Sequence, residues 1–265
     1  MKICMAGACG RMGRRILELA AVADDLEIGG AFDVPAFAGT EIVAGAESCR
    51  PKMVVVSADA ETELAKSDCL IDFTAAEGCI ANVTAATKAG KPSVIGTTGL
   101  SQAQVATLAD CAARVPVVYA PNMSVGVNLL FKLTGEVASI LGLDYNVEIC
   151  EIHHNQKKDS PSGTAVRLAE RAAEALQLEY GRNVAHGRQG MVGARPRNQI
   201  GMHALRGGDV TGEHTVSFIG QGERIELTHK AHNRDNFARG ALVAARFVMS
   251  RDPGLYDMQD VLGLK

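Results

Sequence analysis

Residues 2–33 constrain the fold more than any other part of this sequence. Residues 2–6 form a short apolar run, and Gly7-Ala8-Cys9-Gly10-Arg11-Met12-Gly13 follows it. A helical pattern then continues through Ala23, with Ile16, Leu17 and Ala20 on one face. A second run, 27–32, ends at Asp33. Strand, glycine turn, helix, strand and terminal acid is the order of a dinucleotide-binding unit. Its glycines let backbone approach a pyrophosphate, the helix N-terminus faces that group, and the acid binds the ribose hydroxyls. Cys9 stands where the usual Gly-x-Gly-x-x-Gly pattern has its second glycine. A glycine motif alone also describes a tight turn. The flanking strand, the helix and an acid about twenty residues on favour nucleotide binding.

Further α/β units are expected downstream. Runs at 53–56, 69–73, 93–95 and 115–119 read as strands, with helical patterns at 77–89 and 102–113 between the last three. Such alternation predicts a Rossmann-like, doubly wound parallel sheet. Three strand ends carry small polar clusters: Asp72-Phe73-Thr74, Gly96-Thr97-Thr98-Gly99 and Ala120-Pro121-Asn122-Met123. Any one reads equally as an ordinary loop. Three at the carboxyl edge of one sheet suggest a ligand crevice.

A long helix, 124–141, is expected to lead out of this sheet. Strand patterns at 145–152, 200–205, 214–219 and 224–228, with a helix at 165–176, predict a second α+β domain on an open mixed sheet. The Gly- and Arg-rich stretch 181–198 lacks periodicity and reads as a mobile loop. The last helix, 236–249, presents Phe237, Ala241, Ala244, Ala245 and Val248 on one face. The expected division is 1–123 with 234–265 for the dinucleotide and 124–233 for the substrate.

The densest chemistry lies in Glu151-Ile152-His153-His154-Asn155-Gln156-Lys157-Lys158-Asp159-Ser160-Pro161-Ser162-Gly163-Thr164. Histidine gives or takes a proton near neutrality. A lysine that is partly desolvated or beside other cations can also donate one. Pro161 suits the first position of a helix and Ser160 its cap. First-turn N–H groups near Gly163 and Thr164 then suit a carboxylate. The plain alternative is a solvated turn. The helix start and the N-terminal nucleotide motif together favour a site.

Composition excludes other classes. The net charge of −3, with 47% hydrophobic and 22% charged residues, is that of a globular protein without a basic face for nucleic acid. Seven scattered cysteines with no Cys-x-x-Cys pair argue for reduced thiols and against a zinc site. The chain opens on a strand pattern rather than a signal peptide, and no stretch is expected to span a bilayer. A cytoplasmic location is the expectation.

Several segments in order across the chain resemble the 4-hydroxy-tetrahydrodipicolinate reductase (dihydrodipicolinate reductase) family. They are the glycine turn, Ile71-Asp72-Phe73-Thr74, Ile95-Gly96-Thr97-Thr98-Gly99, Asn122-Met123-Ser124-Val125-Gly126-Val127-Asn128 and the His-His segment through Ala165. Gly207-Gly208-Asp209-Val210-Thr211-Gly212-Glu213-His214-Thr215 and Leu227-Thr228-His229-Lys230-Ala231 follow. The resemblance implies NAD(P)H-dependent reduction of a cyclic dicarboxylate in diaminopimelate and lysine biosynthesis. It implies that Gly7, Ala8, Cys9, Gly10, Arg11 and Met12 hold the dinucleotide and Asp33 its adenosine ribose. Gly96, Thr97 and Thr98, with Ala120, Pro121, Asn122 and Met123, would line the nicotinamide end. His153 and Lys157 would handle the proton, and His154, Gly163 and Thr164 would bind substrate. It also implies a homotetramer assembled largely through the second domain's sheet.

Two positions depart from the family pattern: Ser160 replaces an alanine, and Val34 stands where some members carry arginine. With Asp33 uncompensated there, NADH is expected to be preferred. Arg11 leaves NADPH as a second cofactor. Two alternatives are another two-domain NAD-dependent dehydrogenase and a nucleotide-sensing protein without catalysis. The former has no need of the His-His-x-x-Lys segment, and the latter would need an effector module.

Overall fold

In the computed structural model of the protein, residues 1–46 and 51–265 are described. The chain begins with β1 (Lys2–Ala6), α1 (Arg11–Ala21), β2 (Glu27–Phe32), β3 (Glu41–Ala44), β4 (Lys52–Val55), α2 (Ala60–Ala65), β5 (Cys69–Asp72), α3 (Ala76–Lys88), β6 (Ser93–Ile95), α4 (Gln102–Ala112) and β7 (Pro116–Tyr119). It continues through α5 (Val125–Leu141), β8 (Asn146–His153), α6 (Gly163–Ala175), α7 (Tyr180–Asn183), β9 (Val184–His186), β10 (Ile200–Arg206), β11 (Gly212–Ile219) and β12 (Arg224–Ala231). It ends with α8 (Asp235–Val248), β13 (Gly254–Tyr256) and α9 (Met258–Val261). Two compact units result: Met1–Val125 with Arg234–Lys265, and Gly126–Asn233.

The first unit is built on a parallel six-stranded sheet in the order β13-β7-β6-β5-β1-β2. Ile3, Cys4, Met5 and Ala6 are all fully buried, as a central parallel strand covered on both faces requires. The register levels the strand ends. Ala6 pairs with Phe32 and Asp72, Asp72 with Ile95, and Ile95 with Tyr119. Consequently Gly7, Asp33, Phe73, Gly96 and Ala120 all start at one carboxyl edge. The order reverses at β1, which has β2 on one side and β5 on the other. That is the switch point where such sheets open a ligand crevice. The small residues Ala238, Ala241, Ala244 and Ala245 of α8 join Ile16, Leu17 and Ala20 of α1 in this unit's core.

The second unit is a mixed five-stranded sheet, β12-β11-β8-β10-β9. β8 runs parallel to β10 and antiparallel to β11. Its residues alternate, so Val147, Ile149, Glu151 and His153 lie on the buried face. Val147 and Ile149 pack with Leu168, Ala169 and Ala172 of α6 and with Val127, Leu130 and Phe131 of α5.

The fold class expected from sequence is the one found, with local corrections. The run at 53–56 is not in the parallel sheet. β4 pairs antiparallel with β3 as a separate two-stranded sheet, and Val43, Met53 and Val55 stay exposed on its outer face. The stretch 181–198 is not simply a loop. Val184–His186 adds an edge strand on β10, and Arg195 is held by Glu148, Asn146 and the carbonyls of Val147 and Gln199. The expected start of α6 shifts. Ser162, not Ser160, is its N-cap, accepting a hydrogen bond from Ala165 N at 3.1 Å, so Pro161 lies outside the helix. Gly254–Tyr256 adds an edge strand on β7 that the sequence did not announce. Finally, Val125–Asp144 is long and apolar enough to cross a membrane by length and composition. A core helix passes the same test, and Val127, Leu130, Phe131 and Ala138 place the inner face of this one in the second unit's core.

Candidate active site

In the first unit the glycine turn is shaped by close approach. Gly7 has φ +77°, a left-handed conformation open to glycine, and a Cβ there would stand 2.7 Å from Phe73 O. A Cβ on Gly13 would stand 2.1 Å from Gly7 O, so this glycine sets how closely α1 packs on the strand end. Gly10 caps α1 without a side chain, leaving the helix N-terminus open. Asp33 reaches back to this turn. Its Oδ2 accepts from Cys9 N at 2.8 Å and its Oδ1 from Val34 N at 2.8 Å. The turn, the helix end and the acid therefore form one cradle, which a Cβ at Gly7 would distort. The arrangement suits a dinucleotide, with pyrophosphate at the helix and ribose at Asp33.

The other strand ends are tied together by Asp72, a member of the strand-end clusters noted in the sequence but not one of the expected site residues. Asp72, fully buried, accepts from Thr74 N, Thr74 Oγ1, Thr97 Oγ1 and Asn82 Nδ2 at 2.7–3.1 Å. The Phe73 ring lies against Gly96, where a Cβ would meet it at 2.2 Å. Thr98 and Pro121 are exposed at the same edge, and Asn122 Oδ1 accepts from Ser124 N at 2.9 Å. Ala8 and Met123 are buried and Met12 packs against the core, so these three have little side chain to offer a ligand. Arg11 is exposed on the first turn of α1.

In the second unit His153 ends β8 and is 9% exposed. Its Nδ1 lies 2.6 Å from Oε2 of Glu151, which is fully buried. Arg206 closes on the same carboxylate with both terminal nitrogens, at 2.8 and 2.9 Å, and Ser162 N donates to it at 3.0 Å. Burial alone would raise the Glu151 pKa. The hydrogen bonds from Arg206, His153 and Ser162 outweigh it and hold the carboxyl below its usual range. Burial lowers the His153 pKa, with Lys157 and Arg206 adding repulsion, while Glu151 opposes the shift. His214 stands edge-on to His153 with ring centroids 5.2 Å apart, and its Nε2 lies 2.9 Å from Ser162 Oγ. Burial pushes His214 down to about 3, so it is neutral near pH 7.

Lys157 is not left beside other cations alone. Both carboxylate oxygens of Asp159 accept from its Nζ at 2.9 Å. His154 is half-buried, its N–H bonded to Val210 O at 2.8 Å. Gly163 opens α6, and a Cβ built on it meets nothing within 4 Å. The structure thus gathers His153, His154, Lys157, Gly163 and Thr164 within one unit. It adds Glu151, Ser162, Arg206 and His214, which the sequence reading left out as site residues. Strand alternation carried a signal for Glu151: it shares the core face with Val147 and Ile149, where a carboxylate must find partners.

A switch-point cradle for a dinucleotide in one unit and a buried histidine–carboxylate pair in the other fit one class: a nucleotide-dependent oxidoreductase of two units. Residues 1–123 match the family model described as dihydrodipicolinate reductase, N-terminus, and residues 126–262 match its C-terminus counterpart. The chain belongs to the dihydrodipicolinate reductase family. It is 49% identical over 266 residues, covering all of both chains, to a 4-hydroxy-tetrahydrodipicolinate reductase of Syntrophotalea carbinolica. It is 46% identical, again over all of both chains, to one of Cupriavidus metallidurans. Among solved structures it is similar to a dipicolinate-bound dihydrodipicolinate reductase from Paenisporosarcina sp. TG-14, with TM-score 0.78, 23% identity and 98% of each chain covered. A probable dehydrogenase from Thermotoga maritima shares the fold at TM-score 0.60 and 12% identity, over 100% of this chain and 93% of the other. The family reaction is the reduction of 4-hydroxy-tetrahydrodipicolinate to tetrahydrodipicolinate, in diaminopimelate and lysine biosynthesis.

Proposed function

We propose that this chain carries out that reduction with NADH as its preferred hydride donor, accepts NADPH less well, and uses His153 and Lys157 to supply the proton. The observation that carries the reading is the meeting of His153, Lys157 and the head of α6 in one unit. Lys157 is near enough for its charge to bear on His153. The 4-hydroxyl leaves as water, and reduction of the resulting ring double bond needs one hydride and one proton, of which the nicotinamide supplies only the hydride. A substrate dicarboxylate placed by the N-terminus of α6 would also stabilise the protonated imidazole. His154, Gly163 and Thr164 are its binding residues in this reading.

Cofactor choice rests on Asp33. Its carboxylate accepts hydrogen bonds from free ribose hydroxyls and repels a 2′-phosphate, and exposed Val34 offers no offsetting charge. Turnover of freshly generated substrate with NADH and with NADPH tests the whole reading, in wild type and in Asp33→Ala. NADH should have the higher kcat/KM. A contact worth about 1.4 kcal/mol gives tenfold. The ratio should shrink or invert in the variant, with the gain on NADPH. A chain that binds NADH without turning over would be a sensor, and a ratio unmoved by Asp33→Ala would remove Asp33 as selector.

Substrate anchoring gives a second test. Pyridine-2,6-dicarboxylate should compete with substrate, and Gly163→Val should weaken the competition. A Cβ built on Gly163 meets nothing within 4 Å, so with an unchanged unfolding curve for the variant the loss would report blocked access to the helix N-terminus. Unchanged inhibition would place the carboxylate elsewhere.

A cytoplasmic homotetramer belongs to the same reading. β12 is an edge strand with Ile225 40% exposed, open to association, and a solution mass measurement checks the assembly.

A further inference from the structure

We infer that Glu151 is a positioning residue for the reaction: clamped by Arg206, it fixes the His153 ring so that Nε2 is the nitrogen that hands over the proton. This rests on His153 being the proton donor. Four groups converge on Glu151, and three of them can only donate: Ser162 N, Arg206 Nη1 and Arg206 Nη2. A carboxylate so held is ionised and accepts only. Its fourth contact, His153 Nδ1 at 2.6 Å, must therefore carry the hydrogen. The ring's remaining nitrogen, Nε2, is turned away from Glu151 and lies beside Gly212, whose Cβ would stand 3.0 Å from it. A side chain at Gly212 would crowd the nitrogen that has to meet substrate.

The sheet builds this arrangement. Glu151 and His153 share one face of β8, and parallel pairing sets Arg206 of β10 beside His153. Arg206 Nη2 also donates to Asp159 O at 2.8 Å, which ties the clamp to the turn carrying Lys157. The charged and titratable groups around His153 are Glu151 from β8, Lys157 and Asp159 from the turn, Arg206 from β10 and His214 from β11. His229 of β12 is cross-strand partner to His214. Lys157 and Arg206 disfavour an imidazolium, His214 is neutral, and Asp159 is engaged by Lys157. Among the described residues, Glu151 is the one anion in direct contact with the ring. Arg206 offsets its charge enough that His153 can still release the proton.

The sign of the test follows. A general acid works below its pKa, so activity falls as pH rises through it. Without the anion the imidazolium is less stable, and the pKa drops. In Glu151→Gln the alkaline limb of kcat should move at least about one pH unit lower. Near neutral pH, kcat should fall about a hundredfold or more, from lost charge and a mis-set tautomer, with KM for NADH unchanged. Glu151→Asp, which keeps the charge, should return the limb toward the wild-type position. Because the variants leave Arg206 in altered surroundings, wild-type protein labelled with 15N-histidine supplies an independent reading. His153 should show a protonated Nδ1 in its neutral form, with Nε2 as the titrating nitrogen. A limb unmoved in Glu151→Gln, or a neutral His153 protonated on Nε2, overturns the inference. If His153→Ala has lost turnover, that result leaves the donor role standing. Full turnover in His153→Ala removes donor and positioning roles together.

Discussion

His153→Ala is expected to lower turnover by about a hundredfold to ten-thousandfold, the usual contribution of a positioned acid or base, while leaving nucleotide binding intact. His153 is buried at the end of β8 and belongs to the second unit, whereas the glycine cradle belongs to the first. Fluorescence titration with NADH should therefore match wild type while kcat collapses. Lys157→Ala should also lower turnover, for it removes the other group proposed to handle the proton and takes from Asp159 its ion-pair partner. The two variants separate the roles. A donor removed outright suppresses kcat at every pH, whereas loss of a neighbouring cation raises the His153 pKa and shifts the limb upward. Wild-type turnover in both variants would defeat the assignment of the segment.

Arg206→Met should cost the second unit about 3 kcal/mol or more of stability, the lower part of the 3–5 kcal/mol range for breaking a buried pair. The lower part applies because the Arg206 side chain is 21% exposed. The cause is the partner left behind. Glu151 is fully buried and would keep only the bonds from Ser162 and His153. Adding Glu151→Gln to Arg206→Met should recover part of the loss, since an uncharged pair of similar volume no longer strands a carboxylate. Denaturant unfolding followed by a probe in the second unit measures both values, because two units need not unfold together. A loss below about 1 kcal/mol would mean that Glu151 finds solvent or another cation.

Where the sequence was informative, the reason is periodicity over a long enough window. The strand, glycine turn and helix from Lys2 to Ala21 carry the pattern of a dinucleotide-binding unit in contiguous residues. The alternation of Val147 and Ile149 with Asn146 and Glu148 likewise sets the faces of β8. What escaped was non-local or short. Val184–His186 and Gly254–Tyr256 are three residues each, too few to show a period, and they exist because a neighbouring edge accepts them. The continuous apolar run after Lys52 fits a buried parallel strand, yet it pairs antiparallel and leaves Met53 and Val55 exposed. At the site, His153 and Lys157 stand out by residue type within one turn. Arg206 does not, because only the pairing of β10 with β8 brings it to a carboxylate 55 positions earlier. His214 reaches Ser162 in the same non-local way, across 52 positions.

The interrupted first unit has a consequence for how the protein is made. Its core includes Ala238, Ala241, Leu242, Ala244, Ala245 and Val248, all from α8, which follows the whole of the second unit in the chain. On a ribosome adding about 5–20 residues each second, the segment Gly126–Asn233 takes on the order of 5–20 s to emerge. During that interval Ile16, Leu17 and Ala20 of α1 wait for the helix they pack against. The second unit, continuous in sequence, can fold as soon as it clears the tunnel. The nascent nucleotide cradle should therefore be the later part to mature, and the part most dependent on chaperones that shield exposed apolar surface.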